Sequence, residues 1–374
     1  MVYLTVNYLN ETAEFSILDE KVKFVDAPEE PLYNHCVKAI DKVLSRFSGR
    51  GLPLIGAGDW NDGLSNVGPE WKGESIWLGH FLYGILNQFT PLMEKRGDTE
   101  KVKVYRERAV QLKENINKFT WDGAWYIRAT KDNGGVLGSS KCEEGKIFLN
   151  AQTWAVIHDT ATPERAKAAM DSLEAMLMKK YGPLLFYPGY TKPDKGIGYL
   201  SRYAAGLREN GGVYTHAANW VIIAEVMMRR PEKAYEVYST ICPIKRGMEP
   251  EVYMGEPYVT PGNSDGPQSA YFGRGGWNWY TGSAAWLFKV STEWILGIRP
   301  TLEGLLIDPC IPKEWPGFSM KRNFRGATYE IEVENPKNLS FGIKEIWLDG
   351  QKLDKPVIPP TGDGKTHKVR VIIG

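Results

Sequence analysis

The chain has 374 residues, with 46 Lys plus Arg against 45 Asp plus Glu, a formal net charge of +1. That balance excludes a protein built to neutralise a nucleic-acid backbone, which needs a basic surface. Hydrophobic residues at 43%, with 24% charged, exclude a disordered chain. At about 150 residues per domain, the length suits one large and one small domain with a substantial core. No apolar run approaches the roughly 18 residues of a membrane helix. The start, MVYLTVNYLN, lacks the basic-then-apolar order of a signal peptide. Cys36, Cys142, Cys242 and Cys310 form no CxxC pair, which suits free thiols in a reducing, cytoplasmic compartment. Thirteen Trp and nineteen Tyr either fill a core or stack on sugar rings.

Apolar spacing predicts helices over 31–47, 74–96, 99–119, 150–159, 163–180, 216–229, 231–241 and 283–296. In the second, Ile76, Trp77, Phe81, Leu82, Ile85, Leu86 and Phe89 cover most of the surface, the pattern of a helix buried on more than one side. ATPERA sets Pro163 in the first turn behind a Thr162 cap. Three connecting segments, 51–75, 184–215 and 255–283, each exceed twenty residues. Loops of that length in a compact domain are usually functional. After Pro300 the period changes. GLLIDPCI, MKRNFRGATYEIEVEN, KEIWLDGQKL and HKVRVIIG alternate apolar with polar residues, as strands do. LDGQ reads as a hairpin turn. The expectation is a helical domain over 1–300 and a small β domain over 301–374.

Four stretches carry candidate chemistry. GAGDWNDG, residues 56–63, sets Asp59, Trp60, Asn61 and Asp62 among glycines that let a ligand come close. Two readings are open: a general acid beside a stacking surface, or Asx turns bonding their own backbone. ENGGVYTHAANW puts His216 at a helix start, where it is either structural or one side of an anion site. Thr281, Gly282 and Ser283 precede an apolar helix, as a plain cap, a phosphate cradle, or both. Lys192, Lys195, Arg202 and Arg208 are interleaved with Tyr190, Tyr199 and Tyr203. They are either solvated charges or contacts to an anionic or polyhydroxyl ligand. No HExxH or paired Cys/His spacing supports a metal, no GxxxxGK[ST] a triphosphate, and no GxSxG a hydrolase elbow.

GAGDWNDGLSNVG followed by KGESIWLGHFL, then RENGGVYTHAANW and GRGGWNWYTGSAAWLF, resemble the inverting disaccharide phosphorylases of glycoside hydrolase family 94. The resemblance runs over essentially the whole chain, in the family's motif order. WNWYTGSAAW, EWILGIRPTLEGLLIDPCIP and EPYVTPGNSDGP look most like the cellobionic acid phosphorylase and cyclic β-1,2-glucan synthase branch. The resemblance implies an (α/α)6 barrel followed by a C-terminal β-sandwich-like domain. It makes Asp62 the general acid, with Trp60 and Asn61 lining the sugar site. It assigns phosphate to His216, Thr281 and Gly282, and the leaving sugar to Arg208 and Glu209. Phosphate is the co-substrate, no cofactor or metal is implied, and the product is an α-sugar 1-phosphate.

The family's large β domain, linker and first barrel helices have no counterpart before Tyr3, nor does the Arg and Asp pair that holds the donor sugar. About eight helices are read here, too few to close such a barrel. The expectation is an incomplete catalytic unit, a dimer or a partner of a chain carrying the first half. The faces of Trp77, Phe81 and Phe89 are then expected to lie open. Two other readings remain: an inverting hydrolase with Glu209 as base, and an inactive sugar-binding fragment.

Overall fold

The computed structural model describes residues 1–374. The helices are α1 (Val2–Thr12), α2 (Leu32–Leu44), α3 (Ile76–Lys95), α4 (Thr99–Phe119), α5 (Leu149–Ile157), α6 (Pro163–Leu177), α7 (Thr215–Met227), α8 (Pro231–Ile241), α9 (Pro243–Arg246), α10 (Pro250–Tyr253) and α11 (Thr281–Lys289). Every predicted helix is present. Three were unforeseen: α1, rich in β-branched residues, and the two single turns α9 and α10. The helix expected over 283–296 starts two residues earlier and loosens into a π-turn at Val290–Ile295.

Two compact units result, and neither is a single stretch of sequence. The larger contains Ile40–Met227 and Glu236–Leu287. In it α3 packs on α4 and α5, and α5 packs on α6 and α7. Ser75 caps α3, its Oγ accepting from the Leu78 amide at 3.0 Å. Thr162 caps α6 as expected, accepting from the Arg165 amide at 3.3 Å. Ala217 to Val226 of α7 are all buried, Trp220 among them. A helix buried all round must be central, and each large apolar side chain it hides contributes about 1.5–3 kcal/mol.

One expectation is overturned here. Trp77 and Phe89 are buried and Phe81 is half-buried. Trp154 of α5 meets Trp77 at 6.2 Å and Phe81 at 5.2 Å, and stacks edge-on to Trp220 of α7 at 5.1 Å. The α3 face is therefore closed at Trp77 and Phe81 by Trp154 of α5, with Trp60 of the DWND turn also against Trp77. The large apolar residues that this unit does expose are scattered, Val104, Val110, Ile244 and Met248 among them, and include the loop aromatics Tyr258, Trp277 and Trp279.

The long connections are also ordered. Val213–Tyr214 pairs antiparallel with Asn263–Ser264, which pairs with Gly275–Gly276. This small sheet joins the 184–215 and 255–283 segments at the start of α7.

His80 and His158 lie buried side by side, His80 Nδ1 2.5 Å from Thr160 Oγ1 and His158 Nδ1 3.0 Å from the His80 carbonyl. Burial, with His158 adding to it, lowers His80 to about 3; burial lowers His158 to about 4, opposed by the bond to the His80 carbonyl. The fold thus holds both neutral, while the unfolded chain takes up protons near pH 6.5. Below that pH the unfolded state binds more protons, so stability falls as pH drops from about 6.5 toward 4. The urea midpoint is expected to be lower at pH 5 than at pH 7.5. The difference should shrink in His80→Asn, which keeps a group at the Nδ1 position but cannot titrate.

The smaller unit contains Met1–Ala39, Met228–Tyr235 and Phe288–Gly374. Its five-stranded sheet runs Gly317–Phe324, Ala327–Glu334, Thr366–Ile373, Ile343–Leu348, Gln351–Lys352. The second and third strands are parallel and the other neighbours antiparallel. Tyr329, Ile331, Val333, Val369, Val371 and Ile373 form the buried face, as the alternation predicts. The LDGQ turn is present, with Asp349 and Gly350 at φ 48° and 82° as a two-residue hairpin requires. A three-stranded sheet of Ile298–Pro300, Leu305–Ile307 and Val357–Ile358 completes the β portion. α1 belongs to this unit. Arg322 Nη2 reaches both oxygens of Glu11 at 2.7 and 2.6 Å, and Arg325 Nη2 donates to the Asn10 carbonyl at 2.7 Å.

Candidate active site

The DWND turn divides its labour by residue. Asp59 is buried, its oxygens 2.7 and 2.6 Å from Arg128 Nη1 and Nη2. Its Oδ2 also accepts from Ser75 Oγ at 2.5 Å, and its Oδ1 from the Asn61 amide at 2.9 Å. Asn61 Oδ1 accepts from the Gly63 amide at 3.1 Å. These are the Asx turns of the bland reading, and they tie the loop to the cap of α3. Asn61, expected to line the sugar site, is buried, and its side-chain oxygen shapes the turn. Asp62 is exposed and takes no part in this scaffold.

A second segment reaches Asp62. The Leu200 amide donates to the Gly63 carbonyl at 3.1 Å. The approach is so close that a Cβ on Gly63 would lie 2.8 Å from Leu200 Cβ. This fixes the 3-10 turn Tyr199–Arg202, whose Tyr199 hydroxyl bonds Asp62. Burial, and then that bond, hold the Tyr199 phenol above its usual range.

Trp60 carries the turn to the third motif. Its ring lies 4.7 Å from Trp220, 5.5 Å from His216 and 5.6 Å from Tyr214, edge-on in each case. His216 stands one residue into α7, half-buried, also 5.8 Å from Trp286. Burial pushes its imidazole down to about 4, so it is neutral at pH 7 and one ring nitrogen carries a proton to donate.

Opposite His216 is the start of α11. A Cβ on Gly282 would meet nothing nearer than His216 Nδ1, at 4.0 Å. Tyr214, His216, Gly262, Trp279, Tyr280, Thr281, Gly282 and Ser283 line a pocket of about 390 Å³. The Ser283 hydroxyl bonds the Tyr280 carbonyl at 3.3 Å. The first amides of α11 have no partner further back in the helix, so they are donors available to an anion.

The fourth stretch converges only in part. Arg208 takes a left-handed backbone, φ 52°, with its guanidinium 4.4 Å from the Tyr203 ring and 4.0 Å from the Trp277 ring. Its Nε lies 3.5 Å from Glu209 Oε2. Glu209 is buried, and burial raises its carboxyl above the usual range. Its own backbone bond and Arg208 oppose that shift, and the charge of Asp62 adds to it. Lys192, Lys195 and Arg202 are exposed, the solvated reading for each.

Sequence reasoning missed Arg128, Ser75 and Trp220, and saw in Tyr199 only an interleaved aromatic. Arg128 sits in WYIRAT, where no pattern sets it apart. Only the fold brings its guanidinium to Asp59.

A model of the glycosyl hydrolase 94 superfamily catalytic domain matches residues 1–297, and one of the glycosyl hydrolase family 65 C-terminal domain matches residues 298–346. The chain is 36% identical to a solabiose phosphorylase from Paenibacillus borealis, over 98% of this chain and 48% of that protein. It is 38% identical to the cyclic β-(1,2)-glucan synthase NdvB of Rhizobium meliloti, over 89% of this chain and 12% of that much longer protein. A cellobionic acid phosphorylase from Neurospora crassa is 31% identical over 98% of this chain and 46% of its own length. The chain thus spans about half the length of the phosphorylases it matches. Among solved structures, a family GH78 rhamnosidase of Bacillus sp. GL1 superimposes with a TM-score of 0.59 at 13% identity, over all of this chain and 34% of that one. That likeness concerns the fold alone. The catalytic-domain match carries the DWND turn, His216 and the Thr281 pocket within one continuous span, and the chain belongs to the glycosyl hydrolase 94 superfamily.

Proposed function

We propose that this chain carries the acid and phosphate side of an inverting phosphorylase that cleaves a β-linked glucosyl disaccharide or oligosaccharide. The observation that carries the reading is the neutral His216 facing Gly282 across a pocket at the start of α11, with Trp60 edge-on to the same imidazole. Phosphate fits that pocket. It accepts from an imidazole N–H, the Thr281 hydroxyl and the free amides of α11. Its oxygen attacks the anomeric carbon as the glycosidic C–O bond breaks. Asp62 gives its proton to the departing oxygen, and the sugar leaves as an α-1-phosphate of inverted configuration. Phosphate is already an anion, so no base is required.

An inverting hydrolase is less well supported. It needs an ionised carboxylate to activate water. Glu209, the only candidate of the sequence, has its carboxyl pushed toward the neutral form. Beside Arg208, its carboxyl suits hydrogen bonds to the leaving sugar. Arg208, its guanidinium 4.4 and 4.0 Å from two aromatic rings, offers a fork for an acceptor carboxylate such as that of cellobionic acid.

In this reading the helices form part of an (α/α)6 barrel. The donor-side residues come from the remaining half of the relatives' length, on the same or a partner chain. The test is a panel of cellobiose, cellobionic acid, laminaribiose, sophorose and chitobiose, each with and without phosphate, on the assembled enzyme. Sugar 1-phosphate that forms only with phosphate present is the expected result. His216→Ala is expected to raise the Michaelis constant for phosphate roughly tenfold or more while that for sugar changes less than about twofold. Equal effects on both would make His216 structural, and release of free glucose without phosphate would favour the hydrolase.

A further inference from the structure

The segment Trp277–Asn278–Trp279 is built at a cost. Both tryptophans take left-handed backbone, φ 57° and 66°. A bulky residue is disfavoured in that region, so the surroundings must impose it. Glu256 does so from one side, accepting from Asn278 Nδ2 and, at 3.2 Å, from Trp279 Nε1. Gly262 does so from the other. Its amide donates to the Trp277 carbonyl at 2.9 Å, and a Cβ there would lie 3.1 Å from Trp277 Cβ and 3.2 Å from Tyr280 Cγ.

The conformation does not hide the rings. Trp279 is 67% exposed, Trp277 50% and Tyr258 71%. Tyr258 and Trp279 stand 6.4 Å apart at 73°, and Trp279 also lines the pocket of His216 and Thr281. Strain that turns indoles outward runs against what folding alone favours. The rings stand beside polar groups: Glu256 and Asn278 bond within the segment, and the Arg208 guanidinium lies 4.0 Å from the Trp277 ring. Flat apolar faces bordered by hydrogen-bonding groups match a pyranose ring, with its C–H faces and hydroxyl edges. An apolar protein segment would leave those polar groups poorly matched.

We propose that Trp277, Trp279 and Tyr258 form an additional sugar subsite at the mouth of the pocket, for a ring of a gluco-oligosaccharide beyond the disaccharide at the scissile bond. This rests on the phosphorylase reading for the position of the scissile bond but has its own test. Calorimetric titration of the 374-residue chain with disaccharides and tetrasaccharides of the β-1,2, β-1,3 and β-1,4 series measures it directly. The tetrasaccharide of at least one series is expected to bind roughly fivefold or more tightly than its disaccharide. Trp279→Ala should bring the two within about twofold, and Trp279→Phe should keep most of the preference. Because the ring is exposed and its backbone strained, Trp279→Ala is expected to stay folded, checked by its urea midpoint. No binding of any sugar, equal affinities for both lengths, or a length preference that survives Trp279→Ala would each overturn the subsite. A preference that depends on Trp279, together with no phosphate-dependent turnover in the assembled enzyme, would sink the phosphorylase reading and leave the subsite standing.

Discussion

Asp62→Asn is expected to lower phosphorolysis by the assembled enzyme about 10²–10⁴-fold, the usual contribution of a positioned general acid. The fold should survive. Asp62 is exposed and outside the bonds that hold its own turn, so stability should change by no more than about 0.5 kcal/mol. A leaving group that departs without protonation bypasses the acid. With an activated aryl glucoside the loss should therefore be much smaller than with a disaccharide. That contrast separates an acid from a residue that only binds sugar, since a binding defect would penalise both substrates alike. Near-normal turnover of the disaccharide by Asp62→Asn would remove Asp62 from the mechanism.

Arg128→Met is expected to cost about 3–5 kcal/mol of stability, because it strands the buried Asp59 carboxylate. That is a large share of the roughly 5–15 kcal/mol that holds a typical domain together. The pair joins three elements at once: the DWND turn, the cap of α3 through Ser75, and the segment before α5. Adding Asp59→Asn to Arg128→Met should recover part of the loss, since the uncompensated charge is then gone. Urea denaturation of the two single variants and the double gives the coupling. A single-variant loss below about 0.5 kcal/mol would show that the turn is held some other way. The same series distinguishes the two aspartates of one motif, the first judged by stability and the second by turnover.

Eight of the eleven helices, and the family, were legible in the sequence alone. Helical spacing is local, and α3, α4, α6, α7 and α8 appear within a few residues of where periodicity puts them. The change to alternation marks the β portion, whose first strand starts at Ile298. Three motifs in family order were enough to identify the relatives, since a motif is itself a string of residues. Which member of a motif does chemistry was not legible. Asp59 and Asp62 are the same residue type three positions apart, and only Arg128, distant in sequence, commits the first to the scaffold. The closed face of α3 was likewise hidden, because Trp154 comes from a helix that spacing cannot place in space. Nor could composition reveal that the N-terminal helix joins the β unit, an attachment made by Arg322 and Arg325 more than 300 residues away. The tertiary structure decided these points because a buried charge or an apolar face is satisfied by whatever the fold brings to it, and sequence distance does not limit that choice.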